Sequence, residues 1–500
     1  MSRVLKDIPA DYQTILAPAA YVGNPLIETL PRIFTEDDVR EDLRHFPKSA
    51  SAVERALPPH ERLHCVSAID DLVIPMPVAF DVEAALSVLI RRGYAARNPF
   101  NREWRRKHFQ IKESMSEPLE QYQVRCKSVP AIMVTGVSGG GKTTLIESLL
   151  EMYPQTIIHT AYKGNSFNFK QLVWIGVNAS FDASLKGLVL AMFGAVDAAL
   201  GKDYRSQFER SKASIDTLIG HLSVVFTTHH LGVLFVDEIQ CLMLRGDEEA
   251  KLALSLFLKI ANVCKVPIVF GGTYAAVRLF SKVARNARRV CSGGYFDLAL
   301  PASFEDVIWD KLVVEVIWNK YQWVNQPAPL MDDLRKLLFK LTQGILAILV
   351  ALHRASQVYA IRHGMNTVDA AVLNKVYETQ FVLLHPALDA LRSNKKNRLE
   401  KFEDLLPPKD QMSTLLRPSN DEALLERIQR LFAAAQNDAA TVENEGEEPG
   451  NALSIPKAAN SAGEASQAAA RLMEQIRLNP ALKELARRSG LIGSEECGTT

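Results

Sequence analysis

Apolar positions along this chain change their spacing from one stretch to the next. Between about residues 116 and 300, short continuous apolar runs alternate with stretches of helical spacing. Residues 131–135, 171–177, 233–236 and 267–270 read as strands, and 142–152, 183–200 and 248–263 as helices. Strands that are apolar on both faces and separated by helices predict a parallel sheet covered on both sides. Over 301–395 the strand signals vanish. Helical spacing over 304–318, 331–341, 347–361 and 368–384 predicts a helical lid.

Outside this centre the pattern differs again. Residues 1–115 are rich in proline and charge, with helical patches. Thr35, Glu36, Asp37 and Asp38 read as a capping box, with Val39, Leu43 and Phe46 following at helical spacing. A second helix is expected over 80–95. The stretch 101–112 is strongly basic with interleaved aromatics. It reads either as a solvated helix face or as a contact for nucleic acid or a partner. A helical extension is expected over 396–435, interrupted at Leu406–Pro408 and followed by a helix over about 420–435. Residues 436–470 are too rich in Ala, Asn, Gly, Ser and Glu to bury a core, which predicts a disordered linker. The tail, 471–500, carries Leu472, Met473, Ile476, Leu482 and Leu485, with Asn479 and Pro480 placed as a helix start. Such a tail tethers a partner or docks on its own body.

Composition narrows the class. The 500 residues set a prior of about three domains, and an apolar share of 47% permits a sizeable core. With 58 basic and 57 acidic residues the net charge is +1. That excludes a bulk polycation but not a local basic stripe. Cys65, Cys126, Cys241, Cys264, Cys291 and Cys497 are scattered, without metal spacing, and read as free thiols in a reducing compartment. No signal-peptide core and no membrane-length apolar run is present, so a cytoplasmic protein is expected.

The chemistry begins at the end of the first strand. Gly136, Val137, Ser138, Gly139, Gly140, Gly141, Lys142 and Thr143, with Thr144 next, fit the phosphate-binding loop between a strand and a helix. Glycines let backbone N–H groups curl around phosphate oxygens, and the helix N-terminus adds its positive end. Lys142 is placed for the β- and γ-phosphates of ATP and Thr143 for Mg2+. At the end of the third strand, Asp237 is the second magnesium group and Glu238 the general base. Thr273, at the end of the fourth, reads as a γ-phosphate sensor or as a helix cap. Arg288 and Arg289 are candidates for an arginine supplied to a neighbouring subunit, or form an exposed basic turn or a DNA contact.

With these pieces assembled, the chain resembles the AAA+ ATPases that regulate transposition in bacterial mobile elements, the TnsC/TniB group, in its larger TnsC type. The residues that carry the likeness are GVSGGGKTTLIES (136–148), LFVDEIQCL (234–242), IVFGGTYAA (268–276) and LTQGILAILVALH (341–353), and 170–188 fits as well. The resemblance implies a ring or helical filament around double-stranded DNA. It implies ATP and Mg2+, and partners that include a transposase and a target-selector protein, in bacterial cytoplasm. It also implies DNA contacts at the inner edge of the assembly, for which Lys186, Lys163 and Lys170 are the candidates. One departure is that Ala347 stands where many AAA+ lids carry an arginine, which argues against lid sensing of the γ-phosphate and predicts slow hydrolysis. A signalling or secretion ATPase acting on proteins, and a small-molecule kinase, are the competing readings.

Overall fold

Thr35 opens helix α1 (Glu36–Leu43) with the reciprocal cap its sequence calls for. Its hydroxyl accepts the Asp38 N–H at 3.2 Å, and the Asp38 carboxylate accepts the Thr35 N–H at 2.7 Å. These bonds, with Arg32, hold the Asp38 carboxyl down at about 2. Val39 and Leu43 are buried beneath the helix, whereas Phe46 lies beyond its end and faces the cations of Arg44 and Lys320. The protein is seen here in a computed structural model that describes residues 6–13, 18–113, 129–179, 184–210, 213–281 and 292–393. These belong to a unit spanning 1–418. A second unit, 419–500, lies outside the described residues, and so do the helix, linker and tail expected there.

Helix α2 (Val78–Ala95) forms where its periodicity predicts, and α3 (Arg102–Glu113) takes up the basic stretch. The centre is a five-stranded, all-parallel sheet in the order β5 (Trp174–Asn178), β6 (Val233–Asp237), β7 (Ile268–Gly272), β2 (Ala131–Gly136), β8 (Gly294–Leu298). Every residue of β2, β6 and β7 is buried, the condition expected of strands covered on both faces. Helices α4 (Lys142–Glu151), α5 (Leu185–Leu200), α6 (Ile215–Thr228), α7 (Asp247–Lys259) and α8 (Tyr274–Ser281) accompany it. Leu188, Val189, Met192, Phe193 and Val196 of α5, with Leu222 and Phe226 of α6, build the core against Leu234 and Val236.

The single strand expected over 171–177 is in fact two. Val173 breaks it, and the two parts join different sheets. Its first part ends β4 (Asn165–Leu172), which pairs antiparallel with β3 (Thr156–Tyr162); β1 (Ile8–Pro9) completes this smaller sheet. The hairpin turns at Lys163 and Gly164, both at positive φ (48° and 79°). This is the mirror-image turn that matches strand twist.

The lid carries its expected helices in altered form. The helix expected over 304–318 is a widened turn, Ile308–Val314, continuing into Glu315–Lys320. Helices α9 (Asp332–Thr342), α10 (Leu346–Arg362), α11 (Ala370–Gln380) and α12 (His385–Ser393) follow. The first hundred residues pack on both layers. Ala50 N–H donates to the Lys320 carbonyl at 2.9 Å and the Tyr321 hydroxyl to the Pro47 carbonyl at 3.1 Å, which joins them to the lid. Arg97, fully buried, donates to the carbonyls of Gly93 at 2.9 Å and Leu231 at 2.5 Å, which joins them to the start of β6. Burial pushes its guanidinium down to about 10. Among the described residues no single helix is long and apolar enough to cross a membrane.

Two outcomes follow from this packing. Arg97→Met keeps much of the volume but leaves buried carbonyls unpaired, so urea denaturation should show a loss of about 3 kcal/mol. His230 and His353 are both buried. Burial pushes His230 well below the ordinary histidine range and His353 to about 4. The unfolded chain therefore binds these protons more readily than the folded one. Stability should be complete above about pH 6.5 and fall as pH drops toward 4. Thermal unfolding across that window reads it, and His353→Gln should flatten the decline.

Candidate functional site

The carboxyl ends of β2, β6 and β7 come out at one edge of the sheet. The register pairs Thr135 with Gly272, and Asn178 with Asp237. Beyond β2 the chain must reverse into α4 within a few residues. Gly139 and Gly141 do so at φ 78° and 89°, a region other residues enter at a cost. Val137 is buried, and its carbonyl accepts both the Gly140 N–H at 3.1 Å and the Lys142 ammonium at 2.8 Å. Ser138 and Thr144 are exposed, and Lys142 is buried. The loop is thus a closed cradle with its cation turned inward.

Thr143 and Asp237, far apart in sequence, meet here. The Thr143 hydroxyl donates to the Asp237 carboxylate at 2.6 Å. The other Asp237 oxygen accepts the Glu238 N–H at 2.9 Å. A hydroxyl and a carboxylate form the hard-oxygen pair that suits Mg2+, which takes only one or two protein ligands in phosphate sites. Among the described residues no three or more His, Cys, Asp or Glu side chains gather into a self-sufficient metal site.

Glu238 sits at φ 53°, a strained position for a residue with a side chain. Its carboxylate accepts the Gln240 amide N–H at 2.6 Å, and the Gln240 carbonyl accepts the Thr273 N–H at 3.1 Å. Gln240 therefore links the expected base to the expected sensor. This fit requires glycine opposite: a Cβ at Gly271 would lie 2.6 Å from Asp237 Oδ1, and one at Gly272 2.7 Å from Gln240 Oε1. Thr273 is buried, and its carbonyl accepts the Ala276 N–H at 2.9 Å at the start of α8, so it borders both the site and the helix.

Two features were not legible in advance. No spacing rule announces Gln240, because its reach depends on the left-handed turn at Glu238. The lid also arrives through its backbone. Ala347 N–H, at the start of α10, donates to the Gly139 carbonyl at 3.1 Å. A Cβ on Gly139 would lie 3.1 Å from that of Ala347. Where an arginine side chain was looked for, the positive end of a helix faces the phosphate loop.

The remaining candidates are not brought together. Lys186, exposed in the first turn of α5, follows the carboxyl end of β5. Lys163 and Lys170 lie on the β3–β4 hairpin, which precedes the amino end of the same strand. Lys163 Nζ stands 4.0 Å from the Glu28 carboxylate, and Lys170 pairs with Asp7 at 2.5 Å. Arg288 and Arg289 lie outside the described residues.

Gln240→Ala should lower turnover by about ten- to a hundredfold while leaving nucleotide affinity near its starting value, because it frees Glu238 and the Thr273 N–H but leaves the phosphate loop and Asp237 in place. Phosphate release and fluorescent-nucleotide binding measure the two separately.

Comparison with known proteins agrees with this geometry. Residues 127–280 match the family model described as an AAA domain. No match to a curated protein sequence was found. Among solved structures, Cdc6p from Pyrobaculum aerophilum is 11% identical, with 66% of this chain and 94% of that one covered and a TM-score of 0.35. A Walker-type ATPase of Pyrococcus abyssi is 15% identical, with 66% and 89% covered and a TM-score of 0.34. The RuvB Holliday junction branch migration motor of Thermotoga maritima is 15% identical, with 54% and 68% covered and a TM-score of 0.28. These low scores leave the assignment to the sheet, the phosphate loop and the domain match. On those grounds the protein has the P-loop AAA+ ATPase fold, an AAA domain of nucleotide-binding type between an amino-terminal region and a helical lid.

Proposed function

We propose that this chain is an ATP-hydrolysing regulator of transposition that assembles on double-stranded DNA. In this reading it links a target-selector protein to a transposase, and hydrolysis times its release. The observation that carries the ATPase part is the run of hydrogen bonds from Thr143 through Asp237, Glu238 and Gln240 to Thr273 at one sheet edge. The sequence likeness around residues 136–148 and 234–242 supports the transposition part.

Each residue then has a task. The loop from Gly136 to Thr144 holds the phosphates through backbone N–H groups, and Lys142 turns from the Val137 carbonyl toward them. Thr143 and Asp237 would hold Mg2+, which would neutralise charge on the phosphate oxygens. Glu238, aimed by Gln240, takes the proton of the attacking water. Thr273 senses the terminal phosphate. Arg288 or Arg289 acts on the site of a neighbouring subunit. Lys186 contacts duplex DNA from the same edge as the nucleotide, while Lys163 and Lys170 lie toward the other end of β5 and would have to exchange Glu28 and Asp7 for phosphate to join it. The tail, 471–500, tethers a partner.

Electron microscopy with ATP analogue and duplex DNA tests this directly. A DNA-dependent ring or filament is expected. Glu238→Gln should trap it and Lys142→Ala should prevent it. Lys186→Glu should weaken duplex binding and reduce the slope of log affinity against log salt by about 1. Equal behaviour of the Glu238 and Lys142 variants would sink the assigned roles. Hydrolysis indifferent to DNA would favour an ATPase that acts on protein partners.

A further inference from the structure

Helix α3 (Arg102–Glu113) carries a feature that the nucleotide site does not use. Asn101 caps it, its side-chain carbonyl accepting the N–H of Glu103 at 2.8 Å and of Trp104 at 3.3 Å. One face is anchored: Trp104 and Ile111 are buried, and the His108 ring lies 5.9 Å from that of the buried His230. The opposite face holds Arg102, Arg105, Arg106 and Phe109, spaced i, i+3, i+4, i+7, and all are exposed. With Gln110 they line a surface groove. None of the three arginines has an ion-pair partner among the described residues. Phe109 is 62% exposed at the carboxyl end of this basic stripe, one turn beyond Arg105 and Arg106.

The position of this face matters as much as its chemistry. Helix α3 packs on α6 (Ile215–Thr228), which runs into His229 and His230 and so to the beginning of β6. It therefore lies by the amino ends of the strands, whereas the phosphate loop, Asp237 and Thr273 lie at the carboxyl ends. The two surfaces are on opposite edges of one sheet.

We propose that this face of α3 is a binding site for single-stranded DNA. Guanidinium groups bind phosphate through paired N–H donors. At a rise of about 1.5 Å per residue, Arg102 and Arg106 are about 6 Å apart along the helix, so the three follow a strand and do not converge on one ion. Phe109 selects among polyanions. An acidic peptide would pair the arginines and leave the ring in water. An undistorted duplex would offer phosphates but no free base face. An unpaired strand satisfies both, because an exposed base stacks on the aromatic ring beside its own phosphates. The choice of DNA over RNA rests on the transposition reading above; the surface itself does not depend on it.

The test uses the full chain without nucleotide, so that failure of ATP-dependent assembly on duplex and failure of this site are read separately. Fluorescence anisotropy with labelled oligo(dT) and with a duplex gives affinity against salt. The triple variant Arg102→Ala, Arg105→Ala, Arg106→Ala should lower the single-strand slope by about 2. Phe109→Ala should weaken oligo(dT) binding by about tenfold at unchanged slope and leave duplex binding alone. Both variants should keep wild-type nucleotide affinity and thermal unfolding, which shows that they fold. Unchanged oligo(dT) binding in both would overturn the proposal. So would an equal loss on duplex from Phe109→Ala. Displacement of oligo(dT) by a peptide of the acidic sequence 443–448, if Phe109→Ala had no effect, would assign the face to an acidic segment instead.

Discussion

The hydrogen bond from Thr143 to Asp237 holds the nucleotide side of this protein together. It joins the first turn of α4 to the end of β6 across the intervening strand β7, and it forms only if β2, β7 and β6 end level with one another. Parallel pairing with the observed register makes them do so. Glycines at 271 and 272 then leave room for Asp237 and Gln240 against β7. Any residue with a Cβ there would displace the carboxylate or the amide, and the chain of contacts to Thr273 would break.

A second constraint comes from the amino-terminal hundred residues. They pack on both the sheet and the lid. Arg97 ties them to the start of β6, while Ala50 and Tyr321 tie them to the lid. The lid in turn meets the phosphate loop through Ala347 and Gly139. A path of hydrogen bonds thus runs from the phosphate loop to the amino-terminal region, with the side chains of His353 and Gln357 in α10 joined to the Tyr321 carbonyl between the two.

The sheet separates two kinds of chemistry. Its carboxyl edge gathers the phosphate loop, the acidic pair and Thr273. Near its amino edge lie the basic face of α3 and the aromatic hairpin of β3 and β4, where Phe169 stands 5.0 Å from His230 and His108 5.9 Å from it. Strand direction in a parallel sheet makes the two edges unlike, because helix N-termini and their positive ends collect at one of them. With nucleotide assigned to one edge and a proposed polyanion face near the other, occupancy of either leaves the other sterically open.

Sequence alone determined the elements whose chemistry is local. The phosphate loop was legible because its function needs contiguous glycines followed by Lys142 and Thr143. Strands β2, β6 and β7 were legible because burial on both faces requires continuous apolar runs. The cap at Thr35 was legible because both partners lie within one turn. Tertiary structure decided what depends on register and distant pairing. Strand β8 is short, flanked by glycine, and defined only by pairing with β2, far away in sequence. The hairpin hid behind a Lys163–Gly164 turn without the usual Asn-Gly signal, so a strand that is broken at Val173 read as continuous. Helix α6 carries buried apolar residues around much of its circumference, which blurs a one-sided stripe. The reach of Gln240 follows from a single positive φ at Glu238, and the separation of Lys186 from Lys163 and Lys170 follows from the direction of β5. A local motif names its own partners, but a contact between distant segments exists only once the strands have chosen their neighbours.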